Sequence, residues 1–222
     1  MKKEKNSKKK GIVKKIILGA VAVLVIVAAI DVIQTKIYSS KIPHRFATAE
    51  EGSKLMLANT DYYAKYNQAD IDKRLETTGG TLDELLDASE KSVKDFNFFE
   101  KFVIDNNLAK MYRKLEKNNY TLPPIEEIVF IKANMGLEGG ASGYTHKSEI
   151  YVSDLIGSFP FLDLIPESDI NPEEFLWHEF FHCITRNNPD FRKDAYSLIN
   201  FTIEDSDFEL PPCVKDIALS NP

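Results

Sequence analysis

The stretch Asn171-Pro172-Glu173-Glu174-Phe175-Leu176-Trp177-His178-Glu179-Phe180-Phe181-His182 decides how the chain is read. It opens as a helix start. Asn171 suits the N-cap, Pro172 takes the first helical position where a missing N–H costs nothing, and Glu174 at the third can bond back to the cap. A helix is expected from Pro172 to about Arg186, stopped by Asn187-Asn188-Pro189. A second is expected over Asp190 to Ile199, with Phe191, Ala195 and Leu198 as its buried stripe and Asp194 beside them. Within the first helix His178 and His182 stand four residues apart, so their imidazoles lie one above the other and can converge on a tetrahedral Zn²⁺ at about 2.0–2.1 Å. Glu179, rotated about 100° from His178, is placed as general base for a water at that ion rather than as a ligand. With four His and 18 Glu in 222 residues, a chance His-Glu-x-x-His is rare. The alternatives are two neighbouring histidines without function, or a site that binds metal without turnover.

Upstream of this helix the pattern is strand-like. Ile125 to Ile131 contains the β-rich run Ile128-Val129-Phe130-Ile131, and Gly136, Gly139, Gly140 and Gly143 lead into a second extended segment, Tyr144 to Ser153. That segment is expected to be an edge strand with Thr145, Lys147 and Glu149 on its wet side. Further upstream, Thr81 with Asp83 and Glu84 predicts a helix start into Leu82, Leu85 and Leu86. From Val93 to Leu115 the positions Phe96, Phe99, Val103, Leu108, Met111, Tyr112 and Leu115 keep roughly helical spacing, interrupted near Asn106-Asn107, with Phe96 and Phe99 expected in the core. Leu122-Pro123-Pro124 ends that region. The fold class expected is α+β, with a helical N-terminal part, a small mixed sheet and the histidine helix.

The N-terminus is a separate unit. Eight lysines and one glutamate fall in residues 1–15, so the formal net charge of −6 hides a remainder with 20 basic against 33 acidic residues. A basic nucleic-acid binder is excluded. The lysines precede an uninterrupted apolar stretch from Ile16 to Ile30, which Ile12, Val13, Val32 and Ile33 extend to bilayer length if the lysines snorkel. The division expected is 1–15 basic and cytosolic, 16–33 a transmembrane anchor or signal, 34–76 a stalk leading into the domain, and 77–222 the catalytic domain. By the positive-inside rule the domain is exported on a single-pass anchor; Val27-Ala28-Ala29 leaves open secretion after cleavage. Cys183 and Cys213 are too few for a disulfide framework. Cys183 reads as core, or else as half of a bridge to Cys213.

The histidine motif resembles that of the zincin metallopeptidases, in which the HExxH helix lies under a sheet whose edge strand receives an extended substrate. More narrowly, Phe130-Ile131-Lys132, Gly139-Gly140-Ala141-Ser142-Gly143-Tyr144-Thr145, the motif itself, Asn188-Pro189 and Tyr196-Ser197-Leu198-Ile199-Asn200-Phe201 look like a poorly characterised group of bacterial exported zincin-like proteins. The resemblance implies a zinc-dependent endopeptidase at the outer face of a bacterial membrane, with a peptide or protein substrate, Glu179 as catalytic base and Gly143 to Ser153 as the substrate-pairing strand. The metzincin extension would need histidine at position 188, where Asn188 stands. For the third ligand Glu209 leads, Glu204 follows at 22 residues past His182, and Asp194 and His146 are further options. Tyr144, Tyr196 and His146 are candidates for stabilising an oxyanion, with packing the plainer reading of each. Two other functions compete: a module that binds zinc or peptide without turnover, and a zinc hydrolase of a cell-wall amide. Only 40 residues follow His182, so the C-terminal wall of a cleft must be thin or supplied by a partner.

Overall fold

The computed structural model describes residues 2–140, 142–153, 172–204, 211–215 and 218. Its centre is β2 (Ile128–Ala133), buried at every position because helices cover both its faces. β1 (His44–Phe46) and β4 (Glu149–Ser153) flank it in parallel, and β3 (Gly143–His146) runs antiparallel on the outer side of β4, giving the order β1-β2-β4-β3. Alternate residues of β2 serve opposite cores. Ile128 and Phe130 pack with Ile150 and Val152 against α6 (Phe98–Lys117) and α7 (Pro172–Asn187). Val129, Ile131 and Ala133 pack with Tyr144 and Tyr151 against α2 (Ala49–Leu57), α3 (Thr60–Tyr63) and the residues around α5 (Leu82–Ser92). The chain is thus α+β with a mixed four-stranded sheet, as expected.

Three local expectations change. Tyr144 to Ser153 is a hairpin rather than one strand. Its turn, Lys147-Ser148, puts Lys147 at φ 53° without the Gly or Asn that normally signals such a turn. β4 therefore lies inside the sheet, β3 forms its edge, and Thr145, expected to be wet, is 2% exposed. α6 runs unbroken through Asn106-Asn107, because the Asn107 amide donates to the Val103 carbonyl at 2.9 Å instead of competing with the helix. Phe99, expected in the core with Phe96, is exposed beside Phe98 at the start of α6.

Residues 34–76, expected as a stalk, carry β1, α2, α3 and α4 (Gln68–Leu75), and place Ile42, Met56, Tyr62 and Tyr63 in the core. The folded unit therefore begins where α1 (Lys2–Ser39) ends. Lys14–Ser39 of α1 is long and apolar enough to cross a bilayer. Residues 14–34 are exposed, and only the last turns dock on α6. There Thr35 and Ser39 are buried, Lys36 and His44 both pair with Asp105, and the Arg113 guanidinium covers the Tyr38 ring, 4.4 Å from its centroid.

Candidate metal centre

Packing decides which way the histidines point. Leu176, Phe180, Cys183 and Ile184 recur at helical spacing and bury one side of α7 against β2 and β4. The opposite side, with His178, Phe181 and His182, is left toward solvent. The two Nε2 atoms face each other at 3.0 Å, with ring centroids 4.7 Å apart and planes at 83°. A tetrahedral ion with bonds of 2.0–2.1 Å holds two ligand nitrogens about 3.3 Å apart, so the separation of this pair, here that of a ring-to-ring hydrogen bond, is within a few tenths of an ångström of the ligating distance. The residues present fit Zn²⁺ at two positions. Burial lowers the His182 pKa, and His178 and Arg186 push the same way, which favours the neutral ring that binds metal.

Glu179 lies on the flank of α7 that meets β3. Its side chain is buried, and Thr145 Oγ1 donates to Oε2 at 2.5 Å. Burial raises the carboxyl above its ordinary range; the Thr145 hydroxyl and His178 partly oppose that rise. The helix is tied to the hairpin twice more, by Arg186 donating to the Thr145 carbonyl and by Asn187 Nδ2 donating to Ser148 Oγ at 3.0 Å. Gly143 permits the approach: a Cβ there would lie 2.2 Å from the Tyr151 carbonyl and 2.5 Å from the Phe175 ring. Thr145 and Arg186 are site residues that the sequence reading missed. A threonine at an alternating position gives no sign of facing a helix 34 residues away.

The other candidates separate. Tyr144 stacks on Tyr62 and Tyr151, and His146 bonds Asp61 at 3.2 Å, so both belong to the sheet face away from α7. Tyr196 lies 6.0 Å from the Phe181 ring, on the site's side of the molecule. Asp194 is not on a buried stripe. α8 (Pro189–Ser197) has no buried residue among those described, and Phe191 and Leu198 are exposed, because the helix touches α7 through Phe181 alone among the ring contacts. Beyond α8 a cavity of about 570 Å³ is lined by Arg192, Lys193, Phe201 and Ile203, and none of the motif residues lines it. Glu204 follows that wall and is exposed. Among the described residues no group of three His, Cys, Asp or Glu side chains could hold a metal. Glu209 and the Asn171 cap lie outside the described residues. Asn188 bonds the Ile184 and Pro124 carbonyls at 3.0 and 2.8 Å, a structural role. Cys183 and Cys213 are both free, and burial pushes the Cys183 thiol up to about 12. No family model, curated protein or solved structure matches the chain.

Proposed function

We propose that the chain is a zinc-dependent peptide hydrolase of zincin type, held at the outer face of a bacterial membrane by α1. The observation that carries this reading is the pair of Nε2 atoms at 3.0 Å on the solvent side of α7, with a buried carboxylate on the adjoining flank. His178 and His182 supply two ligands, and Glu209 the third, with Glu204 as the alternative. Bound Zn²⁺ supplies Lewis-acid polarisation of a carbonyl and lowers the pKa of water to about 7. Glu179 takes the proton of the attacking water as the new C–O bond forms, then passes it to the leaving amine as the C–N bond breaks. Thr145 fixes which Glu179 oxygen is free for that task. The outer edge of β3 offers backbone groups to an extended peptide. The lysines before α1 stay cytosolic and the domain is exported, either anchored or released after cleavage.

One observation favours a second reading, a zinc-binding module without turnover. Glu179 is 5% exposed and already accepts a hydrogen bond from Thr145, which leaves little of the carboxylate open to an attacking water. The full chain in detergent, loaded with Zn²⁺ and offered a peptide library and purified cell wall, separates these readings. Peptide cleavage that Glu179→Gln abolishes supports the hydrolase. Stoichiometric zinc with no cleavage in either arm supports the module, and cell-wall digestion alone redirects the substrate to a non-peptide-library amide.

A further inference from the structure

The start of α6 carries two exposed phenylalanines side by side, Phe98 at 70% and Phe99 at 61% exposure. They are no accident of fraying. Asn97 caps the helix and Glu100 completes a capping box, so the Phe pair is held on a fixed first turn. Glu100 also pairs with Lys132 at 2.8 Å, which pins that turn to β2. Among the described residues the two rings make a ring contact only with each other, at 5.7 Å between centroids, and a rigidly presented, exposed aromatic pair asks what covers it.

The path of α1 answers. Lys36 reaches Asp105, and two residues on Tyr38 meets Tyr112 and Arg113, so contacts step in the same direction along α1 and α6. The return path agrees. After the turn at residues 40–43, His44 meets Asp105, and Phe46 then meets Phe96 and Lys101, back toward the start of α6. Fourteen residues separate Tyr112 from Phe98, about 21 Å along the helix. The same distance back from Tyr38 along α1 reaches Leu24. At the common crossing angle of about 50° the projection is about 13 Å and reaches Ala29. Ala29 stands at the domain-proximal end of the apolar stretch Ile16 to Ile30, the level of the membrane interface, whereas Leu24 is mid-span, so the crossed arrangement is the one that fits. Lys101, exposed one turn after Phe98, carries the charge that anionic headgroups attract.

We infer that Phe98 and Phe99 insert into the membrane interface beside α1, so that the domain lies against the bilayer by two points rather than swinging on one helix. This rests on the reading of α1 as a membrane span. The occupant of the aromatic pair is therefore phospholipid, the same bilayer that α1 enters.

The test uses the full chain in nanodiscs of phosphatidylcholine and phosphatidylglycerol, with and without brominated acyl chains. Phe98→Trp is compared with Tyr120→Trp, which stands exposed at the opposite end of α6, and native Trp177 is kept so that each variant is read as an increment. Loss of most of the added Phe98→Trp fluorescence in bromolipid, with a blue-shifted increment, and no loss for Tyr120→Trp is the expected result. A nitroxide at Phe98→Cys in a Cys213→Ser background, collided with oxygen and with a nickel chelate, gives the same reading without a new indole; oxygen should win. A chain that incorporates into nanodiscs but shows equal, unquenched increments at both positions overturns the inference and leaves the span intact. A chain that does not incorporate overturns both.

Discussion

At the scale of single residues, Thr145 and Glu179 act as a unit. The hydroxyl donates to Oε2 at 2.5 Å and so holds the carboxylate that the proposed chemistry needs. Replacing Glu179 by Gln should lower the peptide hydrolysis rate by about 10²–10⁴-fold while zinc binding persists. Replacing Thr145 by Val should cost about 10- to 100-fold in rate, since a hydrogen bond to a charged group is worth about 1.5–3 kcal/mol, and Thr145→Ser should restore most of it. The Thr145 hydroxyl holds Glu179 down against burial, so its loss raises the carboxyl further. Initial rates against pH check this, because the acid limb of the Thr145→Val profile should move to higher pH. An unmoved limb would remove Thr145 from the site.

At the scale of elements, α7 was legible because its signals are local. Proline at the first position, the apolar repeat Leu176, Phe180, Cys183 and Ile184, and the histidine spacing all lie within one helix. The β3–β4 hairpin was not, because its turn is Lys147-Ser148 and its register depends on β2, which is distant in sequence. The burial of Thr145 was hidden for the same reason, and so was its partnership with Glu179. The exposure of Phe98 and Phe99 was hidden because an apolar repeat shows periodicity and not which side is covered. Gly143 exposes the same dependence between elements. A methyl group there meets the Tyr151 carbonyl and the Phe175 ring, so Gly143→Ala must push β3 from β4 or from α7. The variant should lose about 1–3 kcal/mol of stability in urea denaturation and most of its activity, because β3 carries Thr145.

At the scale of the whole molecule, Asp105 joins α1, the proposed membrane span, to the domain. Its carboxylate is buried between His44 and Lys36. Burial raises its pKa, but the hydrogen bonds from His44 and Lys36 outweigh that and hold it below the ordinary carboxylate range. A depressed folded-state carboxyl contributes stability that is fully present above the unfolded value of about 3.9 and is lost as pH falls through the folded one. Asp105→Asn should therefore destabilise the full chain by about 2–3 kcal/mol near neutral pH, with the difference from wild type narrowing below about pH 4. Denaturant melts across that range check the sign. A difference that grows on acidification would show that Asp105 is not the link.

Metal content decides the matter at the centre of the molecule. The full chain, purified without added metal, exchanged into Zn²⁺ and desalted, can be assayed by plasma mass spectrometry beside His178→Ala and His182→Ala. One zinc per chain in wild type, lost in each histidine variant and kept in Glu179→Gln, is the expected result. Wild type without bound zinc, or zinc retained in both histidine variants, would contradict it.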